Sequence, residues 1–345
     1  MPTNASIHLA SDDRELMQRY GWEFGGAESR PGGSVPHLPL ITVGILSYNR
    51  CADLLRTLHV VTRECPYLPM EVIVVDNASS DDTVSRVREY FPDVVLIAMT
   101  TNTGTAGRNE FIRAARGKYI FCLDDDSLPG NAQYFHAITD WMEKHPDVSL
   151  LSTRCVQPRT GVDETTDFEL LGTSLPSVDA DGKSVHENDV YEGLYAFECA
   201  CCMRTDDIRS VGGYAAHDTW GAEGMELALK LHMKGYRTVW HKGFTTLHFK
   251  QWKNRPKQSG ALGAVHHRIE FFASYLPWTV LVPLLAAYTL RRILEGVLYP
   301  SRIMGILKGY LRGIASIPTA RRRHPKLGVR DALALGRWYI GVLRW

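Results

Sequence analysis

YIFCLDDDSLPG, residues 119–130, places three consecutive aspartates directly after an apolar run. The run reads as a buried strand, so Asp124, Asp125 and Asp126 leave the sheet at the carboxyl end of that strand. Crowded like charges raise the energy of the fold unless a cation neutralises them. Carboxylate oxygens favour Mg²⁺ or Mn²⁺, ions that commonly bind substrate phosphates through one or two carboxylates. The stretch therefore predicts a site for a metal and a phosphate, with capping of the following turn as the alternative.

Strand-like and helix-like segments alternate on the N-terminal side of these aspartates. Apolar, β-rich runs lie at 40–48, 70–80, 94–100 and 118–126, and helical spacing occurs at 51–65, 81–91 and 104–116. Short connections between such segments imply parallel strands covered on both faces by helices. The sequence therefore predicts an α/β fold with a Rossmann-like, mostly parallel sheet.

Polar clusters follow each predicted strand. They are SYNR at 47–50, DNASSDD at 76–82, TNTGTAGRN at 101–109 and DDDS at 124–127. Ligands gather at the carboxyl ends of parallel strands, so these clusters mark one binding edge. Asp76 is suited to accept hydrogen bonds from a base or ribose, Gly104 lets the backbone approach a ligand closely, and Arg108 adds positive charge near phosphates. The glycine spacing does not match the Rossmann dinucleotide fingerprint.

The rest of the chain is less regular. Residues 1–38 are poorly periodic and rich in helix breakers towards their end, which predicts an extension and a linker. A helix at 134–146, a strand at 148–156 and loops or a lid at 157–195 are expected next. The segment 197–214 reads as strand, helix and turn, and 221–240 reads as a helix ended by Gly235 and followed by a strand.

Charge is distributed unevenly along the chain, although the net charge is only +1. Residues 291–345 carry twelve Lys or Arg against two acidic residues, so a basic tail follows an acidic body. Such a tail needs an anionic partner, and no nucleic-acid-binding module is recognisable in it. A lipid surface is therefore expected, and nucleic acid is not.

The segment Phe271–Leu290 contains no charged residue and is long enough for a membrane span. Pro277 and Pro283 argue against a straight spanning helix, so monotopic attachment to an anionic membrane is favoured over a span or a soluble buried helix. Seven cysteines, an odd number, and no apolar leader segment predict a reducing, cytoplasmic setting. Cys199, Cys201 and Cys202 form a CxCC group without a second ligand pair nearby, which disfavours a zinc site.

Six ordered blocks resemble a family 2 glycosyltransferase with the GT-A fold. They are VGILSYNR, VIVVDNASSDDT, NTGTAGRN, YIFCLDDDSLPG, CCMRTDDIRSVGGY and GAEGMELALKLHMKGYRTVWHKGFTTLHF, which together cover about residues 40–250. The resemblance implies a glycosyltransferase domain at 39–255, after the extension at 1–38. The basic region at 256–345 would be an amphipathic, membrane-associating helical appendage.

The resemblance also implies roles for individual residues. Nucleotide-sugar contacts are expected from Ser47, Tyr48, Asn49, Arg50, Asp76, Asn77, Gly104, Arg108, Asp124 and Asp125. Among these, Ser47 to Arg50 would line the nucleobase pocket and Asp76 would contact the base. Asp124 and Asp126 would be the outer members of a DXD motif, with Asp124 nearer the ribose and Asp126 on the metal. Asp125 is expected to matter least or to face the sugar, and His248 either completes the metal site or is structural.

The catalytic base is the weak point of the resemblance. Family members usually carry a Glu-Asp pair at the start of the corresponding helix, and here Glu223 is followed by Gly224. Glu223 is the favoured base, Glu226 or Asp218 are alternatives, and loss of transfer activity is the third possibility. Trp220 is expected either to wall the acceptor pocket or to be a buried aromatic.

Together these features predict an inverting, metal-dependent glycosyltransferase at the cytoplasmic face of the cell membrane. It would use Mn²⁺ or Mg²⁺, a UDP- or dTDP-sugar donor and a glycan or lipid-linked acceptor in cell-surface glycan or glycolipid synthesis. A sugar-nucleotide-binding protein without transfer activity and a nucleotidyltransferase are the rival interpretations.

Overall fold

The structure is a computed structural model, and it describes residues 9–24, 40–65, 69–165, 173–178, 184–215, 222–250 and 259–334. The chain divides into two compact units. The first unit comprises Met1–Ala215 and Leu227–Lys250, and the second comprises Ala216–Glu226 and Gln251–Trp345.

Strands and helices alternate through the first part of the chain, as the sequence predicts. The strands are β1 Ile41–Ser47, β2 Met70–Asp76, β3 Val95–Ala98, β4 Tyr119–Asp124, β5 Ser127–Pro129, β6 Val148–Gln157, β7 Val162–Asp163, β8 Thr173–Val178, β9 Ser184–Glu192, β10 Ala200–Arg204 and β11 Arg237–His248. The helices are α1 Ser11–Arg19, α2 Cys51–His59, α3 Thr83–Tyr90, α4 Arg108–Ala114, α5 Tyr134–Lys144, α6 Thr205–Ser210, α7 Glu223–Met233, α8 Ser259–Tyr275, α9 Trp278–Leu298, α10 Ile303–Arg323 and α11 Val329–Ala334. A π-helical turn, Val60–Glu64, continues α2.

The sheet has the strand order β3-β2-β1-β4-β10-β6-β11-β9-β8. Its first four strands are parallel, and their register sets Ser47 beside Asp76 and Leu46 beside Asp124. Beyond β4 the sheet is mixed, because β10 runs antiparallel to both β4 and β6 while β11 runs parallel to β6. The predicted parallel sheet is therefore confirmed for the first half only, since strand direction in the second half follows from tertiary pairing.

Residues 157–195 are not simply loops or a lid, which corrects the expectation from their turn-rich, acidic sequence. Strands β8 and β9 pair antiparallel with each other, and β9 also pairs with β11. The short strand β7 pairs with β6. Pairing with strands already in the sheet outweighs the weak local strand propensity of this segment.

A close contact between β1 and α4 fixes the first half of the sheet. A side chain at Gly44 would place its Cβ 2.5 Å from the ring of Phe111, so only glycine lets this helix approach the strand so closely. Ile41, Val43 and Ile45 of the same strand are fully buried. The strand that carries the SYNR cluster is thus held rigidly by packing on both faces.

Helix α1 also packs into the first unit, although the sequence predicts only an extension there. Met17 is fully buried, and the Trp22 indole N–H donates to the carbonyl of Pro129 at 2.9 Å. Asp13 pairs with Arg56 of α2 at 3.2 Å. The described residues 9–24 therefore belong to the first unit and are not a free extension.

The second unit is helical in its described part. Gly309 and Gly313 of α10 lie against α8, where added Cβ atoms would come within 2.7 Å of the Leu262 carbonyl oxygen and 2.8 Å of Ile269. The apolar run from 271 to 290 is divided between two helices at Leu276 and Pro277, and its first part is buried. Among the described helices, none combines the length and the apolarity that a bilayer crossing requires.

Candidate active site

The three consecutive aspartates diverge at the end of β4, and each has its own partners. Asp124 pairs with Arg108 of α4 at 2.6 Å. Asp126 pairs with Arg50 at 2.5 Å and is only 1% exposed. Because two arginines from different elements neutralise these carboxylates, the cluster is stable in the fold despite its crowded charge.

Asp125 points towards β1 rather than into open space. Its carboxylate accepts hydrogen bonds from the Ser47 hydroxyl at 2.9 Å and from Arg50 at 3.2 Å, while its backbone carbonyl accepts from Thr57 at 2.7 Å. Burial, together with the charge of neighbouring Asp126, raises the pKa of Asp125 to about 7 in spite of Arg50. The residue therefore holds the 47–50 segment against the end of β4.

His248 reaches this cluster from the other half of the sheet. Strand β5 pairs with the end of β11, which sets His248 opposite Ser127, and the N–H of Phe249 donates to the carbonyl of Asp126 at 2.8 Å. The His248 Nε2 atom lies 3.2 Å from the Asp126 carboxylate, and its Nδ1 atom lies 2.8 Å from Glu164 Oε2. The imidazole is therefore oriented by carboxylates on both sides.

Asp124, Asp126 and His248 form a donor set that fits a divalent ion. One ligand atom from each lies within 4.8 Å of the other two. Ligands about 2.1 Å from a central ion are separated by roughly 3–4 Å, which is comparable to this spacing. Two carboxylates favour Mg²⁺ or Mn²⁺, and the imidazole nitrogen adds a ligand more typical of transition metals. The residues thus fit a divalent ion of the expected kind.

The ends of β1 and β2 are joined by side chains that the sequence assigns to the nucleotide. Asn49 has a positive φ of 53°, a conformation that asparagine tolerates better than most residues. Its side-chain oxygen accepts from the Ser80 N–H at 2.7 Å, and its own N–H donates to the Ser79 hydroxyl at 2.9 Å. Asn49 therefore braces the 76–82 loop, while neighbouring Tyr48 is 46% exposed and free to contact a ligand.

Asp76 is a buried carboxylate at the carboxyl end of β2, where the base pocket is predicted. It is 1% exposed, and its Oδ2 accepts from the Ser79 N–H at 3.0 Å. The other carboxylate oxygen, Oδ1, is buried without a hydrogen-bond partner among the residues that the structure describes. A buried acceptor without a donor is costly, so a donor supplied by a ligand would stabilise this arrangement.

Asn77 holds the 102–104 loop. Its amide nitrogen donates to Asn102 at 3.0 Å and to the Gly104 carbonyl at 2.9 Å, and its oxygen accepts from Thr103 N–H at 2.9 Å and Thr103 hydroxyl at 3.2 Å. These contacts use both donors and both lone pairs of the amide. Asn77 therefore positions the loop that contains Gly104 and precedes Arg108.

The predicted catalytic residues lie at the start of α7. Glu223 is the first residue of this helix and is 7% exposed. Glu226, an alternative base, accepts from the Tyr275 hydroxyl at 2.9 Å within the second unit. Trp220 and Asp218 lie outside the described residues.

Sequence reasoning missed Glu164, the carboxylate that orients His248. It lies in the 157–195 segment, 84 positions from the histidine. No spacing in the sequence links the two residues, because β7 and the end of β11 meet only through their pairing with β6.

Residues 42–202 match the family model described as Glycosyl transferase family 2. Validoxylamine A glucosyltransferase of Streptomyces hygroscopicus subsp. jinggangensis is 27% identical over 232 residues, which are 59% of this chain and 54% of that protein. Poly(ribitol-phosphate) beta-glucosyltransferase of Bacillus spizizenii is 30% identical over 95 residues, 26% of this chain and 15% of that protein. The chain thus spans about half or less of the length of these relatives.

Two solved structures share the fold. GalNAc-T7 with UDP, GalNAc and Mn²⁺ superposes with a TM-score of 0.56 at 13% identity, covering 74% of this chain and 52% of that one. The mannosyltransferase PcManGT of Pyrobaculum calidifontis with GDP-Man and Mn²⁺ gives a TM-score of 0.52 at 20% identity, covering 95% of this chain and 91% of that one. At these identities the likeness establishes the GT-A fold alone.

Proposed function

We propose that the chain, whose residues 42–202 match the model of glycosyl transferase family 2, transfers a sugar from a nucleoside-diphosphate donor with inversion and with the help of a divalent ion. The observation that carries this proposal is the meeting of Asp124, Asp126 and His248 at the carboxyl end of β4. Asp76 and the 47–50 segment lie at the same sheet edge, where a nucleoside would bind.

The unpartnered oxygen of Asp76 supports a base that presents an N–H group. Uracil and thymine carry one imide N–H, which matches a carboxylate acceptor and favours UDP- or dTDP-sugars. Guanine also presents an N–H to such an acceptor, and the mannosyltransferase of Pyrobaculum calidifontis that shares the fold holds GDP-Man. A donor panel must therefore contain all three bases.

Transfer requires one displacement at the anomeric carbon. The acceptor hydroxyl oxygen forms a bond to that carbon while the bond to the diphosphate oxygen breaks on the opposite face, which inverts the configuration. Glu223 accepts the hydroxyl proton as the general base. A divalent ion held by Asp124, Asp126 and His248 would neutralise charge on the departing diphosphate. Arg50 and Arg108 keep the two carboxylates in place by pairing with them.

The test is donor turnover across a panel of UDP-, dTDP- and GDP-sugars with Mn²⁺, Mg²⁺ or EDTA. We expect slow hydrolysis or transfer with one base class, abolished by EDTA and by Asp126→Asn. Asp140→Asn, an exposed aspartate on α5, serves as the matched control and should retain turnover. Turnover in EDTA equal to that in Mn²⁺ would refute metal dependence, and retention of the anomeric configuration in the product would refute inversion.

The second unit carries a surface that suits an anionic membrane. Exposed apolar residues form one stripe on α9 and another on α10: Leu290, Ile293, Leu294, Val297, Leu298, Ile303, Met304, Leu307, Leu311 and Ile314, each 43–72% exposed. Their spacing of three and four residues puts each set on one helix face. Lys308, Arg312 and Arg322 of α10 are exposed as well. Apolar stripes with adjacent basic residues favour interfacial binding to anionic lipid.

Co-flotation with vesicles tests this membrane proposal. Wild-type protein should float with vesicles that contain phosphatidylglycerol and much less with purely zwitterionic vesicles. Val297→Glu combined with Leu311→Glu should abolish flotation, whereas Val95→Glu, an equally drastic change at an exposed position of β3, should not. Wild-type protein that stays at the bottom of the gradient with anionic vesicles at moderate salt would refute the proposal.

A further inference from the structure

Two buried thiols lie next to His248 on the side away from the aspartates. Cys155 of β6 is fully buried and Cys199, just before β10, is 6% exposed. Their sulfur atoms are 3.8 Å apart, and the Cys199 Sγ atom lies 4.0 Å from His248 Nδ1. Both cysteines are free thiols. The CxCC spacing does not reveal this neighbour of Cys199, because Cys155 lies 44 positions away in the chain.

Glu164 adds a fourth donor to this group. Its Oε2 atom lies 2.8 Å from His248 Nδ1 and 3.9 Å from the Cys155 Sγ, while Oε1 pairs with Lys250 at 3.1 Å. The N–H of Glu164 donates to the Cys155 carbonyl at 2.8 Å, and the Thr165 hydroxyl accepts from the Cys155 N–H at 3.1 Å. The backbone thus fixes the carboxylate beside the sulfur.

We propose that Cys155, Cys199 and His248, whose ligand atoms all lie within 4.8 Å of one another, hold a soft divalent ion in tetrahedral geometry, with Zn²⁺ as the natural occupant and Glu164 Oε2, which lies beside His248 and Cys155, as the fourth ligand. With Zn–S bonds of about 2.3 Å and Zn–N or Zn–O bonds of about 2.1 Å, tetrahedral geometry puts sulfurs about 3.8 Å apart and other donor pairs about 3.4–3.6 Å apart. Four of the six separations, at 3.8, 4.0, 3.9 and 2.8 Å, lie within about 0.6 Å of these values, and the Cys155 and His248 ligand atoms lie within 4.8 Å of each other.

The thiolate site, with Cys155 and Cys199, and the carboxylate site, with Asp124 and Asp126, share His248 but favour different ions. Thiolates favour Zn²⁺ over Mg²⁺ or Mn²⁺, whereas Asp124 and Asp126 offer only oxygen. Each site faces a different ring nitrogen, because Nε2 is directed at Asp126 and Nδ1 at Glu164. The two donor sets are therefore distinct although they meet at one imidazole.

Occupancy of the thiolate site has a consequence that rests on the proposed function. A neutral imidazole bound to metal through Nδ1 carries its proton on Nε2, where it donates to Asp126 and no longer offers a lone pair. Zn²⁺ would then remove His248 from the ligands of the ion held by Asp124 and Asp126. Zinc at the thiolate site should thus weaken Mn²⁺ binding and inhibit the enzyme.

Cobalt spectroscopy tests the thiolate site without any assay of activity. The purified, reduced and metal-free protein is titrated with Co²⁺, and the expected signal is a thiolate-to-cobalt charge-transfer band that saturates at one equivalent and disappears on addition of Zn²⁺. Cys155→Ala and Cys199→Ala should each lose the band, while Cys65→Ala, which removes another buried thiol, should keep it. Wild-type protein that gives no charge-transfer band, or a band that survives both substitutions, would overturn the site.

Manganese binding tests the link between the two sites separately. Free Mn²⁺ is measured by electron paramagnetic resonance with and without one equivalent of Zn²⁺. We expect Zn²⁺ to weaken Mn²⁺ binding at least about tenfold, a loss typical of removing one supporting group from a metal site. The effect should vanish in the Cys155→Ala, Cys199→Ala double variant. Equal Mn²⁺ affinity with and without Zn²⁺, in protein that shows the cobalt band, would overturn the link and leave the thiolate site standing.

Discussion

Removal of Arg50 is the perturbation that most directly probes how the carboxylate cluster is stabilised. Arg50 pairs with Asp126 at 2.5 Å and with Asp125 at 3.2 Å, and its side chain is only 15% exposed. Arg50→Ala leaves two buried carboxylates, 1% and 5% exposed, without this cation. Breaking a buried ion pair from one side costs about 3–5 kcal/mol.

In a domain of about 150–250 residues, each kcal/mol shifts the melting temperature by about 2–4 °C. Arg50→Ala should therefore melt about 6–20 °C below the wild type when measured in EDTA. Mn²⁺ supplies positive charge to the same carboxylates, so it should recover a large part of this loss. The stabilisation by Mn²⁺ should consequently be larger in the variant than in the wild type.

The assay is thermal unfolding followed by far-ultraviolet circular dichroism in EDTA and in saturating Mn²⁺. Arg86→Ala is the matched control, because Arg86 forms an exposed pair with Glu89 at 3.3 Å on α3. The control should melt with the wild type in both buffers. An Arg50→Ala variant that melts within about 2 °C of the wild type in EDTA would refute the reasoning, since the loss of one buried pair predicts three times that shift.

Three further substitutions test other parts of the account. Gly44→Ala should lower the free energy of unfolding by about 1–3 kcal/mol in urea, because the added Cβ would clash with the Phe111 ring. An unchanged free energy of unfolding would show that the contact between β1 and α4 tolerates a side chain. Asp76→Asn should weaken binding of the preferred nucleoside diphosphate about 10- to 100-fold in calorimetry, and an unchanged affinity would remove Asp76 from the base pocket. Glu223→Gln should lower turnover about 10²- to 10⁴-fold while nucleotide affinity stays constant, and full turnover would transfer the role of base to another residue.

The local pattern of the sequence was sufficient for the parallel half of the fold. Apolar, β-rich runs alternate with segments of helical spacing, and a polar cluster follows each run. This pattern predicts the order of elements up to Asp126. Parallel pairing then brings Ser47, Asp76 and Asp124 to one edge, because all three end neighbouring strands. These contacts follow from strand direction alone, so periodicity could predict them.

The remaining contacts depend on pairing between distant segments. Arg50 pairs with Asp126 because β1 and β4 are neighbours, and neither the local pattern nor the resemblance predicts this pair. Glu164 reaches His248 through the mixed half of the sheet, where strand directions are not encoded locally. The family pattern did place His248 correctly near the aspartates, although the pairing of β5 with β11 that brings it there has no signal in the sequence.

Mn²⁺ binding shows whether Asp124, Asp126 and His248 hold the ion that receives the donor diphosphate. Free Mn²⁺ is measured by electron paramagnetic resonance in zinc-free protein, with and without the preferred nucleoside diphosphate. We expect one Mn²⁺ site per chain, tightened by the nucleotide, lost in Asp126→Asn and unchanged in Asp140→Asn. Equal Mn²⁺ binding by the wild type and Asp126→Asn would contradict this expectation.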